Sequence, residues 1–377
     1  MKANWKEPDW LKAYREKNAV IAQKKPLQKR KYSNIPLLEK LSNAKVSSTQ
    51  MVLPVELQKM GILVLSWQQA LQEFESELKT ALENETVPKD QFEAKINAAF
   101  STGFVLVFSF QSKLEKLVHW KTSIPENVLA KTVIIVKQNT SKLSLLESVR
   151  GKKVRLNQTI LVEPKAMVFL VREFDFLKEA IVSQQAILQQ ESHLFAANAW
   201  NNGGLLRGCV STVLNGTGAH GIQRDWNLAG KKDRLDLNCL VLHKVQSTKS
   251  HSIFKSVLDQ QANSVFDGMI KILPAGQQSV ALLESHGLLL SPNASNNSIP
   301  GLEIEADDVK ATHSATITPL DDRALFYVQS RGLNLKTAKK LVTMGFLETL
   351  IHELPSVFWA PLTVLLEEKW QKIHKAA

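Results

Sequence analysis

The chain has 377 residues, of which 44% are hydrophobic and 22% charged, with a formal charge of +11. This is ordinary globular composition, long enough for two or three structural units, and it excludes the disordered and fibrous classes. No apolar run approaches the roughly 18 residues of a membrane helix, and the first residues lack the apolar centre of a signal peptide. A cytoplasmic location without membrane contact is therefore expected.

The positive charge is concentrated at the start, where residues 1–50 carry 12 Lys or Arg against 4 Asp or Glu, a balance of +8. The run Lys24 to Lys31 reads as a solvated basic connector, since no nucleic-acid motif accompanies it and stacking aromatics are sparse; no nucleic-acid partner is expected. Helical periodicity is predicted over Asp9–Ala22 and Val55–Ala81, the latter carried by Leu57, Met60, Leu63, Val64, Trp67 and Leu71. Residues 1–100 are thus read as an N-terminal, mainly helical segment.

From Phe104 to Thr318 the pattern changes to short alternating or apolar runs: Val105–Phe110, Thr132–Val136, Val154–Val162, Ala166–Val171, Leu235–Leu242 and Val280–Leu290. Such spacing predicts a mainly β core over 101–319, as a sandwich, a barrel or a β-solenoid, and periodicity does not choose among them. Within it, Gly216-Thr-Gly-Ala-His-Gly221 is a literal G-x-G-x-x-G, but no helix opens after it to receive a pyrophosphate, so a tight turn is expected. No Walker loop is present, so energy for any ATP-driven step must come from a partner. Cys239 and His243 share a strand face, with His251 nearby; a small buried thiol and a hydrogen-bonded histidine explain them better than a loosely spaced metal site. The two cysteines, Cys209 and Cys239, supply neither a disulfide framework nor four thiolates for a cluster. Asp225, Asp233 and Asp236 read as turn residues around Gly230-Lys-Lys. A carbohydrate-cleaving β-helix enzyme needs a carboxylate pair with acid and base roles, and this set does not suggest one.

The segment Ala311–Phe346 switches period in mid-course. Val309–Thr318 alternates as a strand, whereas Ala324, Leu325 and Val328 recur at helical spacing. Asp321 is placed to cap one helix, Gly332 to take the left-handed turn after it, and Asn334 to cap the next, with Ala338, Leu341, Val342 and Gly345 along one face. Residues 320–377 are read as a C-terminal helical domain, with Leu362, Leu366, Trp370 and Ile373 marking a last amphipathic helix.

His313-Ser-Ala-Thr, Leu320-Asp-Asp, Leu325-Phe-Tyr, Ser330-Arg-Gly-Leu and Met344-Gly-Phe together resemble the closing signature of the SufB/SufD iron–sulfur cluster assembly family. Ser252–Phe266, Gly287–Ser291 and Ile299–Lys310 continue the match upstream in the same order, and Asn97-Ala-Ala-Phe with Gly103 extends it loosely. The resemblance implies a right-handed parallel β-helix flanked by N-terminal and C-terminal helical segments. It also implies a non-enzymatic scaffold subunit in a SufBCD-type complex, paired with a SufB-like chain and bound by a SufC-like ABC-type ATPase, with a homodimer as a further possibility. No cofactor would be tightly bound, and a transient iron–sulfur cluster would form at the interface with the SufB-like partner.

His313, which taken alone reads as a structural strand residue, becomes by resemblance the cluster-assembly and interface candidate and a transient iron ligand. Ser314 follows it where SufB-like chains have Glu, which points to the SufD side. Leu325, Phe326, Tyr327, Arg331 and Phe346 fall in the region where the family docks its ATPase, though terminal packing alone also explains Leu325, Phe326, Tyr327 and Phe346. Relatives carry a polar row before Gly287 where this chain has Leu283, Ser285 and His286, which favours the alternative of a purely architectural scaffold.

Overall fold

The computed structural model describes residues 7–25, 49–89, 91–109 and 116–375. Residues 26–31 of the basic run lie outside these.

Among the described residues fifteen strands form one continuous sheet that winds into a parallel β-solenoid of about seven turns. Each coil contributes a strand to each of two faces. The first face stacks β3 (Val118–Ser123), the leading halves of β5 (Leu143–Val162) and β6 (Met167–Leu188), then β7 (His193–Asn202), β9 (His220–Ala229), β11 (Lys249–Leu258), β13 (Ser279–Leu289) and β15 (Val309–Pro319). The second stacks β2 (Val105–Phe108), β4 (Ala130–Val136), the trailing halves of β5 and β6, then β8 (Leu205–Leu214), β10 (Arg234–His243), β12 (Asn263–Ile272) and β14 (Ser295–Ile304). In-register parallel pairing aligns like-facing side chains from coil to coil, so alternating apolar residues build one internal core. Phe174 stacks on Trp200 with ring centroids 4.6 Å apart, and Phe254 on Phe266 at 4.9 Å.

The corners repeat as well. Lys165, Glu191, Ser247 and Gln278 take left-handed backbone angles between φ 52° and 59°. Each donates its N–H to a carbonyl of the next coil, respectively Gln190, Thr217, Gln277 and Asp308. That conformation costs a non-glycine residue roughly 1 kcal/mol, which the inter-coil hydrogen bond offsets.

Helices cover the two outer surfaces. The second face is covered by α1 (Asp9–Lys24), α2 (Trp67–Glu73), α3 (Glu75–Glu83) and α4 (Gln91–Ala99). Leu11, Trp67, Leu71, Leu78 and Leu82 pack there against the outward Val133, Ile135, Leu161 and Ile187. The helical periodicity read over Val55–Ala81 is interrupted. A 3-10 turn at Val55–Met60 ends at Gly61 with φ 77°, and Leu63–Leu65 forms strand β1, antiparallel to β2. Ser66 then opens α2 with a capping box. The continuous periodicity hid this break because a three-residue apolar strand satisfies a helix template equally well.

The first face is covered by α6 (Leu335–Ile351) and α7 (Trp359–His374), which follow the shorter α5 (Asp322–Gln329). Met344, Leu347, Leu350, Leu362, Leu366, Trp370 and Ile373 pack on the outward Leu146, Val171, Ala197, Trp226, Leu228, Val257 and Leu288. The expected caps are in place: Asp321 accepts from the Arg323 N–H, Asn334 from the Thr337 N–H, and Gly332 has φ 88°. The last amphipathic helix buries all four residues that marked it.

A buried ion pair fixes the N-terminal helices to the solenoid. Lys131, on the outward side of β4, places its ammonium 2.7 Å from Glu85, 2.7 Å from Asn157, 3.0 Å from Asn97 and 3.2 Å from the Tyr14 hydroxyl. Burial lowers its pKa while Glu85 opposes the shift. Removing the ammonium strands a buried carboxylate, so Lys131→Met is expected to cost about 3–5 kcal/mol in urea unfolding. Adding Glu85→Gln should recover part of that loss.

Candidate functional site

Stacking coil on coil leaves the last one with an open edge. Among the described residues β15 pairs only with β13, and β14 only with β12. His313 lies opposite Leu283, which lies above Ser252, Gln223 and Ala196 in one inward-facing file. Its ring would be interior in a longer solenoid. Because no coil follows, it is exposed, and among the described residues it has no hydrogen-bond partner. Leu302, Ile304 and Ile317 continue the inward files of Ile270, Ile272 and Gly287 and are exposed for the same reason. The terminal coil is an uncovered core cross-section, in which one imidazole shares the inward side with Leu302, Ile304 and Ile317 and with the polar Asn296 and Ser298.

The C-terminal helices leave this end open. Packing along the outer face, rather than over the last coil, occupies α6 and α7, because the outward positions of the first face are themselves apolar. The five helical candidates divide accordingly. Leu325 is buried and Phe346 is half-buried against the solenoid, with the Lys255 ammonium 4.7 Å from its ring centroid. Phe326 and Tyr327 are 75% and 60% exposed, and Arg331 donates to the Tyr327 hydroxyl at 2.8 Å.

The structure separates the residues of the drawn metal trio. Cys239 and His243 face inward on β10, whereas His251 faces outward on β11. Burial pushes the Cys239 thiol up to about 12, so it stays protonated. Both nitrogens of His243 are hydrogen-bonded, Nδ1 to Thr248 Oγ1 at 2.7 Å and Nε2 to Ser250 Oγ at 2.9 Å. Among the described residues no group of three or more His, Cys, Asp or Glu is arranged to hold a metal ion. The Gly216–Gly221 motif forms the expected turn between β8 and β9.

Two of the three aspartates are not turn residues. Asp225 lies inside β9, buried, accepting from Gln223 Nε2 and the Asn198 N–H; Asp236 lies in β10, paired with Arg207 at 2.8 Å. Only Asp233 sits in the turn, 3.8 Å from Lys369. Asp225 faces inward and breaks the apolar alternation of β9, which is why it reads as loop, whereas Asp236 faces outward between the inward Leu235 and Leu237. Neither aspartate opens onto a cleft, so the acid–base pair of a glycosidase does not form here.

Sequence reasoning also missed an outward network. Arg224, His251, Glu284 and His286 lie on successive strands β9, β11 and β13 and join in a hydrogen-bonded row. Glu284 and His286, two apart on one strand, are its one local signal; Arg224 and His251 join them only through coil-to-coil register. Of the row before Gly287, Leu283 and Ser285 point inward beneath His313 and Ala315, and only His286 points outward.

A family model described as SUF system FeS cluster assembly, SufBD core domain, matches residues 119–346, more than half of the chain. The chain belongs to the SufB/SufD family. The matched stretch takes in most of the β-solenoid together with α5 and most of α6. It is 27% identical to the iron–sulfur cluster assembly protein SufD of Escherichia coli K12 over 168 residues, covering 45% of this chain and 40% of that protein. It is 30% identical to SufD of Bacillus subtilis 168 over 145 residues (38% and 33%) and 26% identical to SufB of the same organism over 155 residues (41% and 33%). The matched stretch thus spans two fifths or less of these SufB/SufD relatives. No helix among the described residues is long and apolar enough to cross a membrane.

Burial holds His243 neutral, lowering its pKa from 6.5 to about 4. The unfolded chain then binds a proton that the native state refuses, so this group's stabilisation is complete above pH 6.5 and falls as pH drops towards 4. Asp225, raised to about 7 by burial, acts oppositely: its contribution is lost as pH rises through 7. Comparing wild type with His243→Gln isolates the histidine. The wild-type protein should lose about 2–3 kcal/mol relative to the variant between pH 6.5 and 4, measured by urea unfolding.

Proposed function

We propose that this chain is a SufD-like scaffold subunit that pairs with a SufB-like chain through its open solenoid end and is bound by a SufC-like ATPase at its C-terminal helical domain, residues 320–377. The observation that carries the reading is the uncovered terminal coil. An edge with unpaired N–H and C=O groups and exposed inward-file apolar residues is a template for another chain's strands. The SufB relative makes a paralogous β-helix a natural occupant, and Ser314 after His313 favours the SufD side.

At such an interface His313 gives a neutral imidazole to iron, while the cluster is cargo rather than a resident cofactor. Cys209 and Cys239 are buried and away from the last coil, so thiolate ligands would come from the SufB-like partner. Phe326, Tyr327 and Arg331 offer an exposed aromatic and cationic patch of the kind that anchors protein interfaces, and the ATPase is the partner assigned to it. Movement of the ATPase subunits would then shift the shared interface and admit iron and sulfide. The work of this subunit is to hold and position, with no turnover of its own, in the cytoplasm.

Co-expression with SufB-like and SufC-like proteins, followed by size exclusion and anaerobic cluster reconstitution, tests this. His313→Ala should leave the complex intact and lower cluster yield about tenfold or more. Loss of the complex would make His313 structural, and an unchanged yield would leave a purely architectural scaffold. Phe326→Ala with Tyr327→Ala should weaken ATPase binding at least tenfold, read by titration calorimetry, without disturbing the pairing of the two solenoid chains. Recovery of a homodimer alone would overturn the proposed pairing.

A further inference from the structure

An unbroken row of hydrogen bonds runs along the outer surface of the first face, from the C-terminal helical region to the terminal strand. Glu353, in the turn joining α6 to α7, accepts from Arg224 Nε at 2.7 Å. Arg224 NH2 lies 3.2 Å from His251 Nδ1, and NH1 donates to the His251 carbonyl at 2.8 Å. His251 Nε2 lies 2.8 Å from Glu284 Oε1, and His286 Nε2 lies 3.3 Å from Glu284 Oε2. His286 Nδ1 lies 2.8 Å from the hydroxyl of Thr316, three residues beyond His313 on β15. The row crosses β9, β11, β13 and β15, which no single ladder contact does.

Its proton placement follows from donor inventory. A guanidinium only donates, so His251 Nδ1 must accept, and the ring's one proton sits on Nε2 and goes to Glu284. His286 likewise donates through Nε2, leaving Nδ1 to accept from the Thr316 hydroxyl. The two histidines approach opposite oxygens of one carboxylate, which is why they form a bridge rather than a metal site.

We propose that Glu284, held between His251 and His286, is a positioning residue for β15 and ties that strand to Glu353 in the helical region. The bearing of this tie on cluster assembly rests on the reading of His313 given above; the tie itself does not. The weakest joint is at Arg224, because His251 serves both neighbours only in the tautomer that accepts at Nδ1 and donates at Nε2.

The test is amide hydrogen exchange of the full chain alone at pH 7.5, expressed as protection factors. Glu353→Ala and Thr316→Val should each raise exchange in residues 309–319 about threefold, and the double variant should not multiply the two effects. Thr316→Ser should behave as wild type, and unchanged exchange in β7 should verify folding of every variant. The proposal is overturned if Glu353→Ala alters only the helices, or if the double variant multiplies the two effects. Because no partner, ATPase or cluster is present, failure here leaves the scaffold reading standing, and failure of cluster reconstitution leaves the tie standing.

Discussion

In-register parallel stacking is the constraint on which everything else depends. Each coil satisfies its backbone groups by bonding to the coils before and after it, and each inward side chain is buried by the one stacked above. The arrangement propagates without closing. A barrel removes its own edges, but a solenoid must end, and the end leaves donors, acceptors and core side chains uncovered. At the N-terminal end β1 adds an antiparallel strand to β2. At the C-terminal end the helices turn aside onto the outer face, and the last coil keeps Leu302, Ile304, Ile317 and His313 in the open.

The outer surfaces explain why the helices go where they do. Strands of an all-parallel architecture carry apolar residues on both sides when helices cover them. Here Val133 and Ile135 on one face, and Trp226, Leu228 and Val257 on the other, are outward apolar positions that demand cover. The polar exceptions among outward residues do different work. Lys131 gathers Glu85, Tyr14 and the asparagines into a single clasp, and Arg224, His251 and Glu284 form the row that borders α6 and α7. Both groups lie where the covering helices meet the solenoid.

The interior is not uniformly apolar. Asp225, Asn198 and Gln223 share one polar region in the middle of the stack. Burial disfavours the ionised form of Asp225 and raises its pKa to about 7, although the hydrogen bonds from Gln223 and Asn198 oppose the shift. Such residues also defeat alternation as a sequence signal. The strands that carry them are the ones least visible in the sequence, whereas the apolar run Val133–Val136 of β4 and the regular alternation of β13 are readily placed.

Local chemistry was legible in the chain itself. Asp321, Gly332 and Asn334 specify their caps and turn through backbone geometry that neighbours a few residues away decide, and Leu362, Leu366, Trp370 and Ile373 mark one face of a helix by spacing alone. The ordered motifs around His313 sufficed to indicate the family and a β-helix, although strand patterning had left sandwich, barrel and solenoid equally open. What only tertiary structure decided was register and cover. Stacking opposite Leu283 makes His313 an inward residue without a coil above it, and packing of α6 and α7 along the outer face keeps it uncovered. Leu325 and Phe326 are adjacent in sequence, yet one is buried and the other exposed. Arg224, His251, Glu284 and Thr316 are brought together only by coils that return to the same place. Periodicity records which side of a strand a residue takes, but its partner one coil away depends on the length of every intervening turn, and no local pattern carries that sum.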